Sequence, residues 1–187
     1  GGVLKGYAAE KCREVYEEKG VSGILSLGGT VVTAGRKPDG SEFQIGLRDP
    51  QKGANDLFGT LSGEDRIIAT SGGYERYFEE NGKTYHHIID PATGYPADSG
   101  LLSVTVVADA NGPDQEWVLP GNGTMCDAFS TALFVMGEEQ ALDFWRNGGY
   151  DFDLVLVTED GRVVITAGLA DRFEEVKDSG YTYETVS

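Results

Sequence analysis

Basic residues are scarce in this sequence. Its 15 lysines and arginines face 31 acids, for a formal net charge of −16. Such a chain repels a polyphosphate backbone, which argues against nucleic acid as a partner. An anionic ligand would need a divalent cation, backbone amides or a placed lysine to offset the same field. Long apolar runs are missing too: nothing approaches about eighteen consecutive apolar residues, so no transmembrane helix is expected. Cysteine is nearly absent, and Cys12 and Cys126 lack metal-ligand spacing. They read as unpaired thiols on packed elements, with a disulfide as the alternative, and do not fix the compartment. No secretion, lipid-attachment or stop-transfer pattern occurs. The chain opens with Gly1-Gly2 inside what reads as a motif, so an upstream part is expected.

What remains is an ordinary soluble-domain composition, 40% hydrophobic and 25% charged over 187 residues, enough for one domain with a core. Most acids, Glu14, Glu17, Glu18, Glu79, Glu80, Glu174 and Glu175 among them, read as solvated faces. Residues 4–19 read as a helix, with Tyr7, Ala8, Cys12, Val15 and Tyr16 at helical spacing and Gly20 as its stop. Residues 24–27, 30–34, 66–71 and 103–108 read as strands. Residues 42–48 read as an antiparallel return strand after the Pro38-Asp39-Gly40 turn. Residues 74–78 and 83–89 flank Asn81-Gly82, a tight-hairpin signal. After a polar loop over 109–125, helices are expected over 127–136 and 138–146, then a hairpin over 154–166 around Asp160-Gly161. Hairpin-joined strands interrupted by helices indicate an α+β fold with mainly antiparallel pairing. No G-x-G-x-x-G opens a helix, so a dinucleotide-binding α/β fold is not expected.

Three segments hold the candidate chemistry. In Asp127-Ala-Phe-Ser130-Thr131-Ala, at an expected helix start, Asp127 and Thr131 are four apart and share a face. Both are hard oxygen ligands of the kind magnesium takes together with water and phosphate oxygens, and a helix N-terminus favours phosphate. The alternative is that Asp127 caps the helix and Thr131 bonds back to a carbonyl. The second segment runs Tyr85-His86-His87-Ile88-Ile89-Asp90-Pro91-Ala92-Thr93-Gly94-Tyr95-Pro96. Adjacent histidines on a strand face opposite sides, so at most one serves a given site. They are otherwise surface or structural residues. The third, Gly1-Gly2-Val3-Leu4-Lys5-Gly6-Tyr7, offers backbone groups and the Lys5 ammonium to a metal or phosphate; a cloning remnant is the alternative reading of Gly1-Gly2.

Taken together, these runs with Leu27-Gly28-Gly29 and Thr70-Ser71-Gly72 resemble the ApbE family, the FAD:protein FMN transferases. The resemblance implies a T-fold-like α+β architecture over residues 1–187, lacking the family's N-terminal part. It implies FAD as substrate, Mg2+ as cofactor, and transfer of FMN to a Thr or Ser hydroxyl of a partner protein with release of AMP. Acceptors in the family are flavoprotein subunits of membrane redox complexes, and acceptor segments resemble D-x-x-[ST]-G-A-T. Members are typically exported and often lipoproteins, so an extracytoplasmic, membrane-anchored setting is expected for the full-length protein. Residue by residue, Asp127, Thr131 and the Gly2 carbonyl match the metal ligands, and Ser130 matches a ligand position in some members. Lys5 and Ile89 match nucleotide contacts, and Gly28, Gly29, Thr70 and Ser71 are site-lining. His87, not His86, matches the histidine needed for transfer. Leu4 departs from the pattern, standing where a smaller residue is common. So does the stretch Asn111–Thr124, which is longer than usual and reads as a lid, a partner contact or a plain loop.

Phosphoryl chemistry of this kind rests on positioning and charge stabilisation, with His87 as general base for the acceptor hydroxyl. The rival readings are an FAD pyrophosphatase using water and a flavin-binding protein without catalysis. A chain that itself accepts flavin at Asp127–Leu133 ranks last, since Thr131 and Leu133 break the acceptor pattern.

Overall fold

The apolar strands of this chain sort their side chains onto two faces of one sheet, and both faces are covered. The computed structural model describes residues 2–113 and 121–187. Helix α1 (Leu4–Glu18) leads into strands β1 (Gly23–Ser26), β2 (Thr30–Ala34), β3 (Phe43–Arg48), β4 (Leu57–Gly63) and β5 (Arg66–Gly72). A small hairpin, β6 (Tyr77–Glu80) and β7 (Lys83–His86), precedes β8 (Leu101–Asp109). Helices α2 (Asn122–Met136) and α3 (Glu138–Asn147) are followed by β9 (Asp153–Thr158), β10 (Arg162–Thr166), β11 (Phe173–Glu175) and β12 (Thr182–Val186).

Seven strands form the main sheet in the order β1-β2-β5-β8-β9-β10-β12, and β11-β4-β3 form a second sheet. Pairing is antiparallel except between β10 and β12. Strand period sends alternate residues to opposite sides. Ile67, Val104, Val106, Leu154 and Leu156 meet Met125, Phe129, Leu133 and Phe134 of α2. Ile68, Val107, Val155 and Val157 meet Ile45, Leu47, Phe58 and Leu61 of the second sheet. Helices, main sheet and small sheet thus make three layers with two cores, which is why the central strands are apolar on both faces. The fold is α+β and mainly antiparallel, as the sequence indicates.

Several elements differ from the expectation. Strand β3 does not return to β2. It pairs with β4, because both edges of β2 are already taken by β1 and β5, and its alternate residues Ile45 and Leu47 feed the second core. Strand β4 has no counterpart in the sequence reading, because Gly59 and Gly63 interrupt its apolar pattern. Gly59 is required there: a Cβ would lie inside the ring of Phe173. The hairpin is shorter than read, and its turn is tight, with Asn81 at φ +52 and Gly82 at φ +74. The last two strands lie beyond a hairpin reading: β11 pairs antiparallel with β4 in the second sheet, and β12 adds a parallel edge beside β10.

The face that α1 packs is also not the apolar one. Gly6, Ala9 and Arg13 are its buried residues, while Tyr7, Cys12 and Val15 are exposed. Small residues let the backbone of α1 lie close on α2, and a Cβ on Gly6 would fall inside the carbonyl oxygen of Gly123. Because that clash is with helix backbone, it is not relieved by a rotamer change. Gly6→Ala is expected to destabilise the chain by about 3 kcal/mol, a fall in Tm of about 6–12 °C for a domain of this size. Differential scanning calorimetry of the variant checks this, and an unchanged Tm would show that the crossing is loose.

Candidate functional site

The α1–α2 crossing sets the position of one carboxylate. The Gly6 N–H donates to Asp127 Oδ2 at 3.0 Å, and Asp127 is only 4% exposed. Asp127 lies in the second turn of α2, which begins at Asn122, so the expected helix start at 127 is corrected. The helix is extended by Asn122-Gly-Thr-Met-Cys, of which the sequence reading left 122–125 to a glycine-bearing loop. Asp127 therefore does not cap its own helix; its carboxylate instead accepts from a first-turn amide of α1. The N-terminal end of α2 is closed by α1, where Glu10 Oε2 accepts from Gly123 N–H at 3.1 Å. The loop expected over 109–125 falls partly on 114–120, outside the described residues.

One turn on, three hydroxyls cluster. Ser71 Oγ, from the end of β5, lies 2.8 Å from Ser130 Oγ and 2.9 Å from Thr131 Oγ1. Ser130, not Thr131, bonds back to a helix carbonyl, that of Asp127 at 3.0 Å. Thr131 is half-buried and keeps its hydroxyl at the β5 end. Thr70, next to Ser71, faces the opposite side of the sheet. Its hydroxyl meets Thr105 Oγ1 at 2.9 Å and lines a cavity of about 180 Å³ between the two sheets, with Arg48 and Tyr74 in its wall. Its backbone still belongs near the site, since Thr70 N–H donates to Gly29 O at 2.7 Å.

Lys5 crosses from α1 to the β1–β2 turn and donates to Gly28 O at 2.7 Å. Gly28 and Gly29 have φ of +56 and +95, a backbone that glycine adopts without strain. Gly2 is exposed in the turn leading into α1. Lys5, Gly28, Gly29 and the β5 end therefore meet at one end of the sheet, beside the α1–α2 crossing.

The two histidines differ sharply. His86 closes β7 and packs edge-on against Phe134 of α2, 5.6 Å between ring centroids, over Gly73, where a Cβ would meet its ring. A carbonyl only accepts, so the 3.1 Å contact of His86 Nε2 with Ala97 O puts the proton on Nε2. Its Nδ1 then accepts from Ile88 N–H at 3.3 Å, and both ring nitrogens are occupied. His87 lies in the bend beyond the strand and is exposed. Its Nδ1 donates to Arg76 O at 3.2 Å, and no hydrogen bond among the described residues occupies its Nε2. Ile89, 48% exposed, bridges to Pro96 just beyond.

Buried ionisable groups add electrostatic detail. Burial pushes the Glu10 carboxyl above the usual range, against the lowering by its bond to Gly123. Burial also raises the Tyr74 phenol to about 12 and raises the Cys126 thiol far enough to leave it inert. Both cysteines are free. Gly6, Glu10 and Gly123 escaped the sequence reading as site-builders. The signal was there in the small residues Gly6 and Ala9 on α1 and Gly123 and Ser130 on α2.

A donor set for a hard cation is present. Asp127 is a buried carboxylate that no lysine or arginine pairs among the described residues, and burying a charge uncompensated is costly. The nearby groups are hydroxyls and carbonyls, and the described residues contain no group of three His, Cys, Asp or Glu able to cage a metal. A cation here would draw on oxygens of the ligand as well, the habit of magnesium rather than zinc.

The family model of the ApbE family matches residues 1–155. The FAD:protein FMN transferase of Klebsiella pneumoniae (strain 342) is 36% identical over 182 residues, covering 97% of this chain and 51% of that protein. That of Treponema pallidum (strain Nichols) is 32% identical over 98% of this chain and 49% of its own. The crystal structure of the ApbE protein from Thermotoga maritima MSB8 superposes with a TM-score of 0.70 at 33% identity, over 94% of this chain and 50% of that one. The apo Pseudomonas stutzeri flavinyl transferase ApbE gives 0.64 at 29% identity, over 86% of this chain and 45% of that one. The chain spans about half the length of the curated relatives it matches.

One measurement tests the Glu10 cap. Its folded pKa is raised, so the native state binds more protons between the unfolded and folded values. Stability contributed there falls as pH rises through that window. Glu10→Gln keeps an acceptor for Gly123 N–H and is expected to flatten that limb, so urea midpoints of variant and parent should converge toward acid and separate above it. Parallel curves would show that Glu10 is solvated.

Proposed function

The chain belongs to the ApbE family, and on that footing we propose that it carries the catalytic residues for magnesium-dependent transfer of FMN from FAD to a Ser or Thr hydroxyl of a partner protein, releasing AMP. The observation that carries the reading is the paired constraint on Asp127 and His87: a buried carboxylate with no basic partner among the described residues, and an exposed histidine whose Nδ1 is held by Arg76 O while Nε2 has no hydrogen bond among the described residues. Asp127, Thr131 and the Gly2 carbonyl would hold the magnesium, which when bound supplies positive charge to the FAD pyrophosphate and to the departing AMP.

The rest is the work of the chain's own groups. Lys5, at the Gly28-Gly29 turn, offsets phosphate charge in a chain of net charge −16. His87 Nε2 takes the proton of the acceptor hydroxyl as its oxygen attacks the FMN-side phosphorus. The new phosphodiester forms as the pyrophosphate bond breaks, and AMP leaves with the electron pair. His86, with both nitrogens engaged, positions the β7 end against α2. Ile89 and the glycine turn flank the nucleotide. The acceptor is a flavoprotein subunit of a membrane redox complex, met outside the cytoplasm, where the full-length protein is held at the membrane.

Two variants test this. His87→Ala should cut FMN transfer by about a hundredfold or more, while His86→Ala costs mainly stability. Resolving AMP, FMN and flavinylated acceptor after incubation with FAD and magnesium measures both. Equal losses in the two variants would remove the base role. Asp127→Asn retains an acceptor for Gly6 N–H, so it should fold and yet lose most turnover at limiting magnesium, with partial recovery in excess. Unchanged turnover would take Asp127 out of the site.

A further inference from the structure

The aromatic hairpin beside His87 plays no part in the chemistry above. Strand β6 is exposed along its whole length, yet it presents Tyr77 at 57% and Phe78 at 60% exposure. Phe78 stacks on Tyr85 across the hairpin, 5.1 Å between centroids and 9° between planes. The turn that follows exposes Ile89 and Tyr95, the latter at 65%. Single exposed apolar residues are ordinary, but a group of them on one small feature marks a contact surface. His87, exposed in the bend after β7, joins the hairpin to that turn. Its backbone N–H and its Nδ1 both bond to Arg76 O, the residue just ahead of β6, so the ring is fixed to the hairpin itself.

Resting on the transfer reading, we propose that the β6–β7 hairpin and the 89–96 turn are the docking surface for the protein acceptor. A protein whose hydroxyl reaches His87 Nε2 must pass over the hairpin that holds the ring through Arg76 O, and the hairpin and the turn after it expose Tyr77, Phe78 and Tyr95. Among the described residues β6 is paired on one side only, by β7, which leaves its outer edge for an added strand. The occupant is therefore an extended, hydroxyl-bearing segment of the acceptor with a large apolar side chain beside the reacting residue. Glu79 and Glu80, exposed at the hairpin tip, favour a basic residue further along that segment. Recognition of the acceptor by Tyr77, Phe78 and Tyr95 thus lies apart from recognition of FAD, which falls to the α1, β1–β2 and α2 side, with Ile89 between the two.

The test is steady-state transfer from FAD to a protein carrying an Asp-x-x-Thr-Gly-Ala-Thr segment, comparing the parent with a Tyr77→Ser/Phe78→Ser double variant. Val15→Ser, an exposed apolar residue on α1, is the control. The double variant should raise the acceptor KM about tenfold or more, the scale of losing an aromatic anchor. The FAD KM, and kcat at saturating acceptor, should stay within about twofold. Val15→Ser should change none of these. An unchanged acceptor KM in the double variant overturns the docking surface and leaves the transferase reading standing. So does a parent that is dimeric by light scattering and becomes monomeric in the double variant with its acceptor KM intact, which would make the hairpin a contact between copies. A parent that releases no AMP and labels no acceptor overturns the transferase reading, and the docking surface with it.

Discussion

The contact between Gly6 and α2 holds the site together. A side chain at residue 6 would push α1 off α2, lengthen the bond from Gly6 N–H to Asp127, and carry Lys5 away from Gly28. It would also pull Glu10 from the amide it caps at Gly123. Four features that look independent in the sequence thus depend on one backbone approach. Its energetic logic is that of packed interiors, where a few tenths of an ångström between backbones cannot be made up by rotamer changes.

Charge makes the arrangement costly in isolation and useful with a ligand. Asp127 is buried without a basic partner among the described residues, in a chain already at −16. A fold optimised only for stability would place a lysine there or an apolar residue. Lys5 donates to the Gly28 carbonyl and not to this carboxylate. The carboxylate is left as an electrostatic demand that a cation meets.

Much of the fold was legible because period and turn chemistry agree locally. The α1 boundaries, β2, β5, β8, α3 and the β9–β10 hairpin follow from apolar runs closed by glycine turns such as Asp160-Gly161. The misses share a physical cause: each depends on a partner distant in sequence. Gly59 is a strand residue only because Phe173 lies over it. The partner of β3 is decided by which edges of β2 are already taken. The first turn of α2 is helical despite Gly123 because α1 packs and caps it. At the site, residue identities and order carried the resemblance to the family. The opposite facing of Thr70 and Ser71, and the saturation of His86 against the free nitrogen of His87, needed the fold.

That division of β5 bears on how the chain tolerates change. Thr70 and Ser71 are neighbours, one turned to the cavity between the sheets and the other to the hydroxyls of α2. A strand shifted by one residue exchanges its faces. Lengthening the Gly63–Asp65 turn by one residue without moving β5 is harmless to the site. The same insertion absorbed as a slip of β5 against β8 would turn a threonine toward α2 and a serine toward the cavity, and would invert the faces of Ile67 and Ile68 as well. Evolution of this sheet is therefore permissive to substitution and to loop growth, but closed to single-residue indels within β5. Length variation in relatives is expected to fall in turns, with the Thr-Ser step kept in register.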